Sequence, residues 1–156
     1  MENIKEKSGL KILLALDNSQ HSKLVLEKVA NRPYPPDTEI HIVTAYETTP
    51  LLSGIEPMGV SHEYFEESNR SKLKEAEYTV DEAAALLHKK NPFITISKRV
   101  INGVPKNVIL DEADTFGADS IIVGSHGHGI VERFLIGSVS LAVTLHAKCS
   151  VEIIRV

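Results

Sequence analysis

Short apolar segments alternate with amphipathic segments along the chain, and this alternation restricts the fold more than any other feature. Five segments are predicted to be strands, at residues 11–16, 39–46, 93–101, 119–124 and 149–156. The first is apolar almost throughout, which is typical of a strand buried on both faces of a parallel sheet. The third alternates apolar and polar residues, so we expect it nearer an edge. The pattern predicts a three-layer α/β/α sandwich with a five-stranded parallel sheet and right-handed crossovers.

Four helices are predicted in the intervals between the strands. Ser19 is suited to be the N-cap of the first, and Pro105 lies in the first turn of the third, which Gly117 ends. The second covers residues 61–90 and the fourth residues 137–147. A spacing of three or four residues marks the side chains expected to face the sheet. They are Leu24, Val25 and Val29 in the first helix, Leu73, Ala76, Val80, Ala83 and Leu87 in the second, and Val108, Ile109 and Ala113 in the third.

Length and composition fit a single soluble domain that covers residues 1–156. Apolar residues make up 42% and charged residues 24% of the 156 residues, which are ordinary values for a globular protein. The net charge is −4, aromatic residues make up 5% and Trp is absent. These properties argue against a nucleic-acid partner, which would call for a basic surface and stacking aromatics.

Several features bear on the compartment. The single cysteine, Cys149, excludes an internal disulfide and suits a reducing environment. Its place in a predicted apolar strand favours a buried, inert thiol. No apolar run approaches the roughly 20 residues that span a membrane, and residues 1–9 lack the apolar segment of a signal peptide. We therefore expect a cytoplasmic protein with no membrane partner.

A glycine-rich stretch follows the fourth predicted strand. It reads Gly-Ser-His-Gly-His-Gly at residues 124–129, and Gly137-Ser138 opens the next helix. Glycines let backbone N–H groups approach an anion closely, and a helix start offers further N–H donors. The stretch therefore predicts a phosphate site, and the alternative is that these glycines only form a turn. The sequence contains no G-x4-G-K-[ST] segment, so a P-loop NTPase is not predicted.

The spacing Gly124-x2-Gly127-x9-Gly137-Ser138 resembles the nucleotide-binding signature of the universal stress protein family, G-x2-G-x9-G-[S/T]. The resemblance extends over nearly the whole chain, and it implies ATP as the ligand. It also implies a Rossmann-like fold of the adenine nucleotide α-hydrolase-like class, with strand order 3-2-1-4-5. In that order the winding reverses between strands 1 and 4, which is where open α/β sheets bind ligands. Asp17, after strand 1, should then meet Gly124, after strand 4.

The resemblance also implies roles for the residues around this point. Those expected to contact the ribose and phosphates of ATP are Gly124, Gly127, Gly137 and Ser138, with Val139 and Ser140 added at the helix start. Those expected to lie against the nucleoside are Ala15, Leu16, Ala45, Val104 and Val123.

Charged and titratable side chains near the expected phosphates need separate interpretation. Asp17 would repel a triphosphate, so it needs a cation or a hydrogen bond to ribose. The resemblance suits Mg²⁺ or Mn²⁺ here, and the alternative is that Asp17 only caps the first helix. His126 and His128 fall short of the four ligands of a structural zinc site. We expect them to be solvated or to bind phosphate, and Arg133 either to neutralise a phosphate or to be exposed.

The expected function is that of a stress-response regulator that binds ATP, forms a homodimer and acts on an unidentified protein partner. The dimer would form through the last strand, from Val151 to Val156, because outer strands with apolar residues pair readily. Three alternatives stay open. One is a slow ATPase or self-phosphorylating enzyme with Ser125, Ser138 or Ser140 as acceptor. The others are a scaffold without nucleotide and a sensor of AMP or a cyclic nucleotide.

Overall fold

The computed structural model describes residues 9–49, 62–126 and 136–156. The strands are β1 (Lys11–Ala15), β2 (Glu39–Tyr46), β3 (Thr95–Asn102), β4 (Ser120–Gly124) and β5 (Ser150–Ile154). The helices are α1 (Gln20–Ala30), α2 (His62–Lys90), α3 (Pro105–Phe116) and α4 (Ser138–His146). Each predicted strand and helix is present, and its ends differ from the predicted ends by at most two residues.

All five strands are parallel and are arranged in the order β3-β2-β1-β4-β5, which confirms the predicted topology. The chain therefore winds outward from β1 in one direction and then from β4 in the other, and the reversal lies between these two strands. The position of β3 at one edge also confirms the expectation drawn from its alternating polar residues.

Helices cover both faces of the sheet and divide the core into two layers. Leu14 points to the layer under α1 and α2, while Leu13 points to the layer under α3 and α4, and both side chains are fully buried. This alternation along one strand is how a central parallel strand comes to be apolar throughout. The α2 stripe is confirmed, since its buried side chains include Ala76, Val80 and Ala83.

Two expectations about individual side chains were wrong. In α1, Leu24 is 48% exposed and Leu26 is buried in its place, because the buried face of the helix is centred on Val25 and Val29. Cys149 lies just before β5 and is half-buried, not fully buried within the strand. Its partial burial still raises the pKa of the thiol, which favours the less reactive protonated form.

The three predicted helix-end signals are all present, and Pro105 is the first residue of α3. Ser19 is the N-cap of α1, and its Oγ accepts a hydrogen bond from the backbone N–H of Ser22 at 3.1 Å. Gly117 ends α3 in the left-handed conformation, with φ of 68°, which glycine adopts without the steric cost of a Cβ. Among the described helices, none combines the length and the apolar character needed to cross a membrane.

Candidate functional site

The carboxyl ends of β1 and β4 form a crevice at the point where the winding of the sheet reverses. Leu14 pairs with Ile122 across these two strands, so continuing the register places Leu16 level with Gly124. The chain leaves β1 toward α1 on one face, and it leaves β4 toward α4 on the other face. Because the two connections diverge, the space between them stays open, as is usual for ligand sites in this class of sheet.

Asp17 is held firmly at the β1 side of the crevice. Its Oδ1 accepts hydrogen bonds from the backbone N–H of Ser19 at 3.1 Å, from Ser19 Oγ at 2.5 Å and from Ser22 Oγ at 2.6 Å. Its own N–H donates to Ser22 Oγ at 3.0 Å. Ser19 is the residue that caps α1, and Asp17 orients that cap. The carboxylate is thus fixed beside the crevice by the helix start.

The β4 side of the crevice is closed by hydrogen bonds between β4 and the start of α4. The N–H of Gly137 donates to the carbonyl of Ser125 at 2.6 Å. The buried hydroxyl of Ser140 donates to the carbonyl of Gly124 at 2.5 Å. These two bonds bring the ends of the glycine-rich stretch together, so that α4 begins directly beside the last residue of β4.

Two of the motif glycines have a clear steric role. A Cβ on Gly124 would lie 3.3 Å from the carbonyl oxygen of His126 and 3.3 Å from Val25 Cγ2. A Cβ on Gly137 would lie 3.2 Å from the carbonyl oxygen of Ser125. Such contacts are tight, so these glycines serve the close approach of β4, α1 and α4. This steric role does not prevent the same glycines from contacting a ligand through their backbone. Gly127, His128, Gly129 and Arg133 lie outside the described residues.

The first turn of α4 offers a set of backbone donors at this junction. Gly137 is the N-cap and makes no side-chain capping bond, because it has no side chain. Ser138, Val139 and Ser140 are the first three helical residues, and their N–H groups have no carbonyl partner within the helix. Leu141 donates the first intrahelical bond, to the carbonyl of Gly137 at 2.9 Å. The hydroxyl-bearing residue Ser138 is exposed at this end.

The residues expected around a nucleoside lie at the same edge of the sheet. Ala15, Leu16 and Val123 are buried at the ends of β1 and β4. Ala45 is half-buried near the end of β2, and the register Ala15–Val43 continues to place it level with Asp17. Val104 is the N-cap residue of α3 and is 45% exposed, farther along this edge beyond β3.

Two histidines lie across the crevice from one another. The imidazole of His21, in the first turn of α1, has its centroid 6.0 Å from that of His126 after β4. His126 Nδ1 lies 3.1 Å from the hydroxyl of Ser125. His21 was missed from the sequence because it carries no motif, and the signal that could have found it is the topology, which brings the start of α1 beside the β4 connection. Among the described residues, no three or more metal-ligating side chains come together.

A cavity of about 300 Å³ adjoins the crevice on the side of α1 and α2. Leu16 and Asp17 belong to its wall, together with Leu26 of α1 and Tyr78 and Thr79 of α2. Asn18 Nδ2 donates to Glu75 Oε2 at 2.7 Å and links the two walls at the entrance. The crevice is therefore continuous with space between the two helices.

The amino-acid sequence is similar to those of known proteins over nearly its whole length. The profile of the Universal stress protein family matches residues 10–155. Universal stress protein A homolog 2 of Coxiella burnetii is 34% identical over 158 residues, covering 100% of this chain and 98% of its own. A Thermus aquaticus protein, the universal stress protein in the QAH/OAS sulfhydrylase 3' region, is 32% identical over 144 residues. That alignment covers 92% of this chain and 97% of the relative.

Solved structures agree at the level of the fold. Universal stress protein UspA from Lactobacillus plantarum has a TM-score of 0.74 at 20% identity, over 94% of this chain and 97% of its own. A universal stress protein in complex with cAMP has a TM-score of 0.61 at 20% identity, over 93% and 95% of the two chains. The Archaeoglobus fulgidus protein in complex with dAMP has a TM-score of 0.58 at 21% identity, over 92% and 96%. From the profile match and the sequence identities, the chain belongs to the universal stress protein family.

Proposed function

We propose that this protein binds an adenine nucleotide in the crevice between β1 and β4, as ATP with Mg²⁺ or Mn²⁺, and works as a nucleotide-dependent dimeric regulator. The observation that carries the proposal is the juxtaposition of the fixed carboxylate of Asp17 with the open start of α4. Both lie at the reversal of the sheet, where a ligand has access to two diverging connections.

The start of α4 supplies the phosphate half of the proposed site. Three backbone N–H groups and the positive end of the helix dipole favour an anion there. Gly137 allows the approach because it carries no side chain, and Ser138 adds an exposed hydroxyl. The hydroxyl of Ser140 is already bonded to Gly124, so we assign Ser140 a phosphate contact through its backbone N–H alone.

The ends of β1 and β2 supply the nucleoside half. Asp17 is suited to accept a hydrogen bond from ribose, while Ala15, Leu16 and Val123 give the apolar wall. Ala45 is paired with Ile101 of β3 on one side, but on the other side it extends beyond the last residue of β1. We assign its backbone on the β1 side a contact with adenine. Val104 and Gly127 complete the proposed set.

The single carboxylate of Asp17 fits a divalent cation that is bound mainly by the phosphate oxygens of the nucleotide. No cluster of three or more ligating side chains occurs in the described part of the chain, so a cage made by the protein is not the basis of the proposal. Mg²⁺ commonly uses one or two carboxylates together with phosphate oxygens. Such an ion would offset the repulsion between Asp17 and the phosphates.

The homodimer is proposed to form through β5 and the adjoining surface of α4. β5 is an outer strand of the described sheet. Leu141 and Leu145 of α4 are 48% and 69% exposed, and Val156 after β5 is 42% exposed. An outer strand with apolar neighbours favours pairing with a second copy. A bound nucleotide would change the affinity for a partner protein only if it stabilises one conformation of this dimer surface over another.

The proposal is tested by thermal unfolding of the full chain with and without Mg-ATP. A ligand at 100 times its Kd stabilises the folded state by about 2.7 kcal/mol, which raises the melting temperature by several degrees. Ser138→Asp places a negative charge at the start of α4 and should weaken binding. Ser71→Asp, at an exposed serine of α2 outside the cavity lining and the proposed dimer surface, is the matched control. An unchanged melting temperature at millimolar nucleotide would overturn the proposal in favour of a scaffold.

A monophosphate or cyclic nucleotide is a second candidate, favoured by the relatives whose structures contain cAMP and dAMP. Titration calorimetry with ATP, AMP and cAMP ranks the three ligands. Slow hydrolysis or self-phosphorylation is a further candidate, because the Ser125 and His126 side chains form a hydroxyl–imidazole pair at the crevice. Phosphate release, or phosphate retained on the protein, above that of a no-enzyme control would support it.

A further inference from the structure

A second polar cluster lies away from the crevice, between β2, β3 and α3. His41 of β2 is directly opposite Ser97 of β3 in the register of the sheet, and His41 Nδ1 lies 2.7 Å from Ser97 Oγ. His41 Nε2 lies 3.1 Å from Glu112 Oε2 on α3. The other oxygen of Glu112 accepts a hydrogen bond from Arg99 Nη1 at 2.7 Å. The four side chains thus form one connected network.

The partners of His41 determine its tautomer. An ionised Glu112 only accepts hydrogen bonds, so Nε2 of the neutral imidazole carries the proton and donates to Oε2. Nδ1 then has a lone pair and accepts from the hydroxyl of Ser97. His41 is only 6% exposed, and the ring of Phe116 is stacked on it with centroids 5.0 Å apart. The imidazole is therefore held in one orientation with its basic nitrogen directed at a serine.

Ser97 itself is exposed, unlike the two groups behind it. α3 packs on β2 and β1, and the face of β3 on this side carries the exposed residues Thr95, Ser97 and Arg99. The buried part of the network is thus covered by α3, while its hydroxyl end faces solvent. A small molecule can approach Ser97 across this open face.

The residue after Ser97 provides a donor at the edge of the sheet. The N–H of Thr95 donates to Thr38 and that of Gly103 to Tyr46, so odd-numbered residues of β3 direct their N–H groups toward β2. By the same alternation the N–H of Lys98 points away from β2. β3 is an outer strand of the described sheet, which leaves that N–H at the rim beside Ser97.

We propose that Ser97 is an activated nucleophile, with His41 as its general base, which accepts the acyl group of a small activated ester. A nucleophile bonded to a base that a third group orients is the arrangement found in acyl-transfer sites of many folds. Glu112 is a positioning residue that sets the tautomer and stabilises the imidazolium. This site is separate from the nucleotide crevice and does not depend on it.

The reaction balances without a cofactor. Ser97 Oγ attacks the carbonyl carbon of the ester while its proton moves to His41 Nδ1. The oxygen that becomes negative is assigned to the N–H of Lys98, which points away from β2 at the rim of the sheet. The bond between the carbonyl carbon and the leaving oxygen then breaks, and the proton on His41 passes to the departing alcohol. The products are an O-acyl serine and the free alcohol. The exposed guanidinium of Arg99 favours esters whose leaving group develops negative charge.

The test uses the full chain and p-nitrophenyl acetate, with the acetylated residues identified by peptide mass spectrometry. Ser71 is the internal reference, because it is an exposed serine on α2, away from the proposed dimer surface at β5. General-base assistance is worth about 100-fold or more, so Ser97 should be acetylated about 100-fold faster than Ser71. Ser97→Ala should abolish the initial burst of p-nitrophenolate, and Ser71→Ala should leave it unchanged.

Glu112→Gln tests the positioning role. It should lower the acetylation rate constant at Ser97 and leave the half-saturating ester concentration unchanged, since Glu112 does not contact the ester. Circular dichroism verifies that each variant is folded, which Ser97→Ala requires because it also removes the partner of the buried His41 Nδ1. If Ser97 in the folded wild-type protein reacts no faster than Ser71, the network only satisfies buried polar groups and the proposal is overturned.

Discussion

The crevice and the His41 cluster contrast in how their polar groups are held. On the β4 side of the crevice, backbone groups supply the fixed geometry: the start of α4 presents N–H groups, and the N–H of Gly137 donates to the carbonyl of Ser125. In the His41 cluster, side chains from β2, β3 and α3 hold one another. The difference indicates that the β4 side of the crevice depends on topology and glycine, whereas the cluster, like Asp17 with its serine partners, depends on particular side chains.

The largest expected effect comes from breaking the His41 cluster. Glu112→Ala leaves the buried imidazole without its acceptor and Arg99 without its carboxylate, so we expect a loss of about 3 kcal/mol in the free energy of unfolding. Urea denaturation measures it. Asp111→Ala, an exposed neighbour on α3, is the control and should change the value by less than about 0.5 kcal/mol. Equal effects of the two substitutions would show that the network adds no stability.

The second-largest expected effect comes from removing the negative charge of Asp17 at the crevice. Asp17→Asn keeps the shape but removes the charge that strengthens the hydrogen bonds from Ser19 and Ser22. Charge-assisted hydrogen bonds contribute about 1.5–3 kcal/mol to stability. Because the amide oxygen of asparagine still accepts hydrogen bonds, part of this contribution is kept. We therefore expect the free energy of unfolding to fall by about 1.5 kcal/mol. Under the proposed function, Mg²⁺ should also no longer enhance nucleotide binding. Unaltered stability would mean that Ser19 caps α1 without help from Asp17.

A pair of serines in α4 separates structure from ligand binding. Ser140→Ala removes the buried bond to the carbonyl of Gly124 and should cost about 1 kcal/mol in unfolding free energy. Ser138→Ala removes an exposed hydroxyl and should cost less than about 0.5 kcal/mol. In nucleotide titrations we expect Ser138→Ala to have the larger effect on affinity. The opposite order in both experiments would reverse the assigned roles.

The smallest expected effect concerns an exposed ion pair, which serves as a reference for the crevice and for the His41 cluster. Arg32, which follows the end of α1, donates two hydrogen bonds to Glu152 of β5, at 2.8 and 2.5 Å, and these bonds lower the pKa of Glu152. A lowered pKa means that the stabilisation is present above the ordinary glutamate pKa and is lost as pH falls through the folded-state value. Glu152 is 45% exposed, so solvent screening limits the contribution to about 0.5 kcal/mol. Arg32→Met should therefore flatten the acidic limb of the stability–pH curve slightly. An unchanged limb would mean that the pair contributes nothing.

The same contrast explains what could be predicted from the sequence. The strands and the α2 stripe follow from local periodicity, whereas the strand order and the place of the crevice were implied by the resemblance to a known family. His41 and Glu112 are 71 residues apart, and no local sequence pattern predicts their contact. The error at Leu24 is similar, because the choice between Leu24 and Leu26 depends on the rotation of α1 over the sheet. His21 carries no motif, and only the topology brings it opposite His126.

The most direct test of the central claim is native mass spectrometry of protein purified without added nucleotide, before and after soaking with Mg-ATP. We predict a dimer that carries one adenine nucleotide per chain, with the ligand identified after denaturation. A protein that remains free of nucleotide after soaking would contradict the account, because the junction of β4 and α4 would then serve packing alone.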